Sequence, residues 1–293
     1  MQEYFHFTEN PLKLQKQLKM ILGVVEKELV KLESLFQRKN RHLLKQSDGE
    51  IISVHILGKL LGFYSERSWH RFIIGNLFER SQFPERSRYN RRCRDLLQMI
   101  KWIRYRIVQS QPVGAYTIID SLPIPLCHNV RIPRIKRFKG VADRGYCASK
   151  KTYFYGFKAH IQVTNKGLIT SYVISPSSYH DVEVTEDLIA QNPHPVTLGD
   201  KGYISQTLKQ NLQETYSVSL WTPLRSNSKQ PVLPKVIQIW MRQKRKRIET
   251  IFSVLVEHFL ITSIRANSLT GFETSLEAIL MAHTLWITGA VEL

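Results

Sequence analysis

The chain has 293 residues, and 43 % of them are hydrophobic, which is enough for a sizeable core and argues against global disorder. Lysine and arginine number 42 against 24 acidic residues, a net charge of +18 that predicts a polyanionic partner, nucleic acid first of all. A membrane surface is the alternative partner, but the sequence contains no run of about 20 apolar residues.

The sequence also argues against export and against disulfide or zinc chemistry. Its first ten residues, MQEYFHFTEN, lack the basic start and apolar core of a secretory signal. The cysteines Cys93, Cys127 and Cys147 are scattered and form no CxxC pair. This usage indicates a reducing compartment, and we expect a cytoplasmic protein.

The first part of the chain predicts helices. Residues 11–37 form one long helical pattern with a heptad seam, which fits a dimerising coiled coil or a helix packed on its own domain. Fewer than four heptads are present, so we favour the second interpretation. Ser47 to Glu50 has the pattern of a capping box and predicts a helix closed by Gly62. Two further apolar stripes, within 69–77 and 96–107, predict two more helices.

A basic run lies within this helical region. Between Arg80 and Arg106 there are nine basic residues and two acidic ones, which favours phosphate contact over a merely solvated face. The candidate DNA contacts are Arg88, Arg91 and Arg92. Short helices with a basic third helix are compatible with helix-turn-helix docking, although the pattern assigns no recognition helix. We therefore predict that residues 1–110 form an all-helical DNA-binding domain.

From about residue 110 the pattern changes to strands. The stretch AYTIIDSLPI, residues 115–124, predicts a buried strand that ends in the acid Asp120, just before chain-breaking prolines. A basic stretch follows between residues 131 and 151, and it predicts a mobile loop that contacts DNA phosphates. Its candidate contacts are Arg134, Lys136 and Arg137.

The remaining elements predict an α/β domain. Residues 153–164 and 168–174 indicate a hairpin, and a later short strand ends in a second acid, Asp200, within VTLGDKGY. The pair His180-Asp181 could suggest metal binding, but we expect Asp181 to begin the following helix. The order of three strands, helix, strand, helix, strand and further helices predicts a mixed sheet in residues 111–293, as in a ribonuclease H-like fold.

A third acid, Glu249, lies in the helical segment RKRIETIFSVL, on the same face as Arg242 and Arg245. Alone, Arg245 and Glu249 would be a surface ion pair worth roughly 0.5 kcal/mol. Five cations within residues 242–247 favour a phosphate contact instead, with Arg247 as the third candidate. Two strand-end aspartates and a helical glutamate make a candidate triad for hard divalent cations.

Three segments resemble the DDE transposases of bacterial insertion sequences, most closely the insertion-sequence family numbered 982. They are Ile119-Asp120-Ser121, Gly199-Asp200-Lys201-Gly202-Tyr203 and Arg245-Lys246-Arg247-Ile248-Glu249-Thr250. The stretches 47–62 and 88–92 are also similar, so the resemblance covers nearly the whole chain. Related transposases often place a Tyr seven residues before the Glu and a Lys seven after it. Arg242 and Val256 stand at those positions here, so these contacts stay unassigned.

The resemblance implies a transposase in which Asp120, Asp200 and Glu249 bind two Mg²⁺ ions, with Mn²⁺ able to substitute. It implies that metal-activated water cuts double-stranded DNA at the ends of the element, and that the freed 3′-OH attacks target DNA. It also implies a homo-oligomer that holds two DNA ends, on the nucleoid of a bacterial cytoplasm. Two alternatives stay open: a catalytically silent DNA-binding protein derived from such an element, and a structure-specific nuclease of the same fold.

Overall fold

A computed structural model describes residues 11–32, 43–147, 151–224 and 234–292. The chain forms two compact units, one of residues 1–110 with 257–293 and one of residues 111–256. One boundary between the units falls at residue 110, and residues 257–293 cluster with the first unit and not with the second. Within the described ranges, no helix is long and apolar enough to cross a membrane.

Five helices open the first unit. The capping box before the second of them is confirmed, because Ser47 Oγ accepts from the Glu50 amide at 3.0 Å and Glu50 Oε2 accepts from the Ser47 amide at 2.6 Å. Gly62 follows that helix at a φ of +72°, a conformation that favours glycine. The helices are α1 Pro11–Leu32, α2 Asp48–Leu60, α3 Glu66–Asn76, α4 Arg86–Asp95 and α5 Leu97–Gln109.

The first helix, α1, packs on its own unit, as we favoured. Its contacts are with α2 and α5, and Glu28 of α1 accepts from Arg106 of α5 at 2.8 Å. The buried stripe runs through Leu14, Ile21, Val25 and Leu32. Of the predicted seam, which runs through Leu18, Leu22, Val25, Leu29, Leu32 and Phe36, this stripe shares Val25 and Leu32. Residues 33–37 of the predicted helix lie outside the described ranges.

The second unit is built on a six-stranded mixed sheet, which confirms the predicted sheet type. The third strand is central, and three strands pair with it in antiparallel orientation. The first strand pairs along one edge of it. The second strand pairs with its residues 152–156 and the fourth strand with its residues 157–163. The fifth strand is parallel to the first, and the sixth is parallel to the fifth. The strands are β1 Thr117–Pro125, β2 Asp143–Cys147, β3 Thr152–Thr164, β4 Ile169–Pro176, β5 Val196–Leu198 and β6 Ser219–Trp221.

Two predicted features of this sheet are wrong. The first strand does not end at Asp120, since β1 continues through Pro123 to Pro125. Among the described residues, β1 pairs only with β3 beyond Ile118, so its other edge is open there. An open edge tolerates Pro123 and Pro125, because a proline has no amide N–H to donate. The predicted mobile loop contains a 3₁₀ helix, Asn129–Arg134, and the additional strand β2.

Helices complete both units. In the second unit, α6 Thr185–Ala190 and α7 Gln206–Tyr216 share an apolar core with one face of the sheet. Helix α8, Lys235–Glu257, buries an apolar face that includes Ile248. The last helix, α9 Leu269–Ile287, belongs to the first unit and packs against α2 and α5.

Candidate active site

The carboxylate of Asp120 lies within the second unit's sheet, on β1 opposite Ile161 of β3. Its Oδ1 accepts a hydrogen bond from the Ser121 amide at 2.8 Å, which favours the charged form. Burial acts in the opposite direction and is stronger, and the negative charge of Asp200 adds to it. The pKa of Asp120 is therefore raised to about 7, far above its ordinary value of 3.8.

Asp200 reaches the same place through strand pairing. In the parallel β1–β5 register, Thr117 lies opposite Thr197 and Ile118 lies opposite Leu198. Asp120 and Asp200 each follow the last pair by two residues, Asp200 lies just after the carboxyl end of β5, and its negative charge raises the pKa of Asp120. Asp200 Oδ1 also accepts from the amide of Gly202 at 2.6 Å, which starts the 3₁₀ turn Lys201–Tyr203. The two predicted strand acids are thus neighbours.

Helix α8 brings a cation to these acids. Arg245 is half-buried, and its positive charge lowers the pKa of Asp120. Its Nε atom is buried without a hydrogen-bond partner among the described residues. The guanidinium therefore lies close to the acidic groups while retaining a donor that no described group accepts.

A tyrosine of the predicted motif lies beneath the acids. Tyr203 is fully buried in the core shared by the sheet, α6 and α7. Burial raises the pKa of its hydroxyl well above the ordinary value, and the charges of Asp181, Asp120 and Asp200 raise it further. Its oxygen has no hydrogen-bond partner in the described part of the chain. The hydroxyl is therefore a buried polar atom, within electrostatic reach of the three acids, that no described group satisfies.

Asp181 is the acid that the sequence analysis did not assign to the site. It does begin a helix, the 3₁₀ helix Asp181–Val184, as predicted. Its charge nevertheless raises the pKa of Asp120, so its carboxylate is within electrostatic reach of that group. The signal in the sequence was the pair His180-Asp181, four residues after the end of β4, which also suggested a metal site.

The predicted third acid, Glu249, is differently placed. Its side chain is exposed, one helical turn beyond Arg245 on α8. The charged groups that shift the pKa of Asp120 are Asp200, Arg245 and Asp181. The structure thus brings the arginine of the predicted Arg245–Glu249 face to the strand acids, while the glutamate carboxylate faces solvent.

The predicted DNA contacts divide into two groups. Three have guanidinium groups engaged within their own unit: Arg92 pairs with Asp48 at 2.6 Å, while Arg137 and Arg247 each donate to a backbone carbonyl oxygen. The other group has six members, because Arg88, Arg91, Arg134, Lys136 and Arg242 have exposed side chains and Arg245 is half-buried, and all nine contacts remain predictions.

The donor chemistry of the strand acids fits a divalent metal ion. Carboxylate oxygens are the ligands that Mg²⁺ prefers, and one or two of them suffice when substrate phosphates supply the rest. A cation between Asp120 and Asp200 would offset the mutual repulsion that contributes to the raised pKa of Asp120. In the described part of the chain, no three histidine, cysteine or acidic side chains converge closely enough to hold one ion.

Comparison with known proteins gives one family. The model of the family described as "Transposase DDE domain" matches residues 110–269, more than half of the chain. Among solved structures, a piggyBac transposase synaptic complex with hairpin DNA is similar, with a TM-score of 0.42 and 13 % identity. The similarity covers 96 % of this chain and 75 % of that one. The search of curated proteins gives no match.

Proposed function

Because this chain belongs to the transposase family defined by that DDE domain, we propose that Asp120 and Asp200 form the core of its DNA-cleaving site. The observation that carries this proposal is that β1 and β5 pair in parallel, with Asp120 and Asp200 each two residues beyond the last pair, Ile118 and Leu198, and that the charge of Asp200 raises the pKa of Asp120. The strand order of the mixed sheet supports a ribonuclease H-like fold, and the motif residues support the insertion-sequence family numbered 982.

The reaction we propose is metal-dependent cleavage of DNA at the ends of an element, followed by strand transfer. Asp120 and Asp200 would hold Mg²⁺, or Mn²⁺ in its place, and a bound pair of such ions would polarise the scissile phosphate and lower the pKa of water. The acids must be ionised for this role. Arg245 assists, because its positive charge lowers the pKa of Asp120, and its buried Nε–H has no hydrogen-bond partner among the described residues.

Glu249 remains our candidate for the third acid of the triad. It follows Arg245 by one turn, and the Arg245 side chain already lies close to Asp120. A glutamate is long enough to turn from the solvent-facing side of α8 towards a bound cation. We therefore expect the contribution of Glu249 to metal binding to require bound metal and DNA more strongly than the contributions of Asp120 and Asp200 do.

DNA binding follows from the charge and from the exposed cations. We propose that the first unit binds the terminal repeats through Arg88 and Arg91 of α4, whose side chains are exposed. In the second unit, exposed Arg134, Lys136 and Arg242 would contact phosphates near the cleavage point. We further propose that a homo-oligomer holds two DNA ends, and that it acts on the bacterial nucleoid in the cytoplasm.

A cleavage assay tests this function. The substrate is a duplex that carries the terminal repeat flanking the gene, incubated with Mg²⁺, and the product is a new 3′-OH at the repeat boundary. We expect Asp120→Asn, Asp200→Asn and Glu249→Gln each to reduce the rate by about 100-fold or more. Glu257→Gln is the matched control for α8, since Glu257 is also exposed on that helix.

Two results would redirect the proposal. Tight binding of the repeat without Mg²⁺-dependent cleavage would favour a silent DNA-binding protein. If Glu249→Gln still cleaves DNA and Asp200→Asn does not, the strand acids would remain assigned to the cleavage site and Glu249 would be removed from the triad.

A further inference from the structure

Asp181 is an acid near Asp120 and Asp200, and Lys158 holds one of its two carboxylate oxygens. Its Oδ1 accepts a hydrogen bond from Lys158 Nζ at 3.2 Å, and the same ammonium donates to the Tyr179 carbonyl at 2.7 Å. Lys158 lies on β3, opposite Pro123 of β1. The lysine therefore fixes one oxygen of Asp181 against the strand that is paired with the strand of Asp120.

A buried histidine stands beside the same oxygen. His160, also on β3, is fully buried, and its Nδ1 lies 3.7 Å from Asp181 Oδ1, too far for a hydrogen bond. Its Nε2 is 2.9 Å from Ser175 Oγ, whereas Nδ1 has no hydrogen-bond partner among the described residues. A buried ring nitrogen without a partner, facing a carboxylate, marks a position where a further polar group or ion belongs.

The other oxygen of Asp181 lies near Gly202, which an oxygen of Asp200 also approaches. A methyl group built on Gly202 would lie 3.3 Å from Asp181 Oδ2 and 2.9 Å from Asp200 Oδ1, so the two oxygens flank this glycine. The hydroxyl of Tyr203, fully buried and without a partner in the described part of the chain, is within electrostatic reach of both aspartates. The charge of Asp181 also acts on Asp120.

These contacts are unlike those of a simple surface ion pair. The ion pair with Lys158 involves one oxygen of Asp181. An aspartate that only starts a 3₁₀ helix gains nothing from a second carboxylate beside it, because two like charges repel each other. Three aspartates instead face two cations, Lys158 and Arg245. Two of these carboxylates meet at Gly202, which Asp181 Oδ2 and Asp200 Oδ1 both approach.

We infer that Asp181 is a further metal-binding carboxylate beside this site, which shares an ion with Asp200 through Oδ2 while Lys158 holds Oδ1, so that no single ion requires three acids. The inference rests on the proposed function, because it assumes that Asp200 binds the catalytic metal. It goes beyond the Asp-Asp-Glu triad, and it gives Lys158 and His160 the role of positioning residues for Asp181.

The test is Mn²⁺ binding to the full-length protein, measured by isothermal titration calorimetry without DNA. Asp181→Asn should weaken Mn²⁺ binding about 10-fold or more. Glu183→Gln is the matched control, because Glu183 is an exposed acid two residues along the same 3₁₀ helix, and it should bind Mn²⁺ like the wild type. An Asp181 that only pairs with Lys158 would change the melting temperature and leave Mn²⁺ affinity unchanged.

A second variant keeps the test decisive if Asp181→Asn folds poorly. Gly202→Ala places a methyl group between the two carboxylates without changing any charge, and it should also weaken Mn²⁺ binding. Wild-type affinity in both Asp181→Asn and Gly202→Ala, together with loss of binding in Asp200→Asn, would overturn the inference and leave the proposed function intact. Absence of Mn²⁺ binding by the wild type, in the presence of DNA as well, would count against the proposed function itself.

Discussion

The two units bury charge in different ways. In the first unit, Arg104 Nε of α5 lies 2.6 Å from Glu277 Oε1 of α9, and both side chains are almost wholly buried. In the second unit, Asp120 is largely buried beside two further aspartates, and Arg245 is the cation that acts on it. A closely paired buried charge is compatible with a purely structural role, whereas a buried carboxylate crowded by like charges destabilises the fold and indicates a functional site.

The largest effect should come from breaking the closely paired charge in the first unit. Glu277→Ala leaves the buried Arg104 guanidinium without its carboxylate, and we expect a loss of about 3–5 kcal/mol in the free energy of unfolding. Denaturant unfolding followed by tryptophan fluorescence measures it. A loss below about 1 kcal/mol would mean that Arg104 is well solvated or otherwise compensated, and the contrast between the units would weaken.

A smaller effect should follow from removing the cation beside Asp120. Arg245→Met should raise the pKa of Asp120 further, because the positive charge that lowers it is gone. The acidic limb of the pH profile for DNA cleavage should therefore move upward, by about 1 pH unit. Arg242→Met, an exposed cation one turn away on α8, should leave the limb in place, and an equal shift in both variants would assign the effect to general charge.

The smallest effect should come from the exposed counterpart of the buried pair. Lys101 and Glu273 also join α5 and α9, at 3.3 Å, but about a third of each side chain is exposed. Glu273→Ala should cost less than about 1 kcal/mol in the same unfolding experiment. The ratio of the two losses in the free energy of unfolding, for Glu277→Ala and for Glu273→Ala, then measures how much burial strengthens an ion pair between α5 and α9.

The sequence predicted local features better than their assembly. The capping box at Ser47 and the hairpin that β3 and β4 form follow from residue patterns that act over a few positions. Strand β2 was missed because DRGYC has one exposed face and few apolar residues, and only its pairing with β3 defines it as a strand. The placement of α9 in the first unit depends on contacts distant in sequence.

The candidate site shows the same division. Asp120 and Asp200 were predictable because each follows an apolar run on a strand that belongs to the sheet. The approach of Asp181 was not, since it depends on Lys158, which is 23 residues away along the chain. The exposure of Glu249 was also not predictable, because helical periodicity gives the face of a residue but not what that face meets.

The most direct measurement is the melting temperature of the wild type and Asp120→Asn at pH 5 and pH 8, with and without Mg²⁺. Folding raises the pKa of Asp120 from 3.8 to about 7, so its destabilising effect is absent below pH 4 and complete above pH 7. A shift of that size corresponds to roughly 4 kcal/mol.

At pH 8, Asp120→Asn should therefore melt about 5–10 °C higher than the wild type, and the difference should shrink at pH 5. Mg²⁺ should raise the melting temperature of the wild type at pH 8 and have little effect on the variant, because the variant lacks the carboxylate that holds the ion. A variant that melts no higher than the wild type at pH 8, with an equal response of both to Mg²⁺, would contradict the assignment of Asp120 as a buried metal ligand.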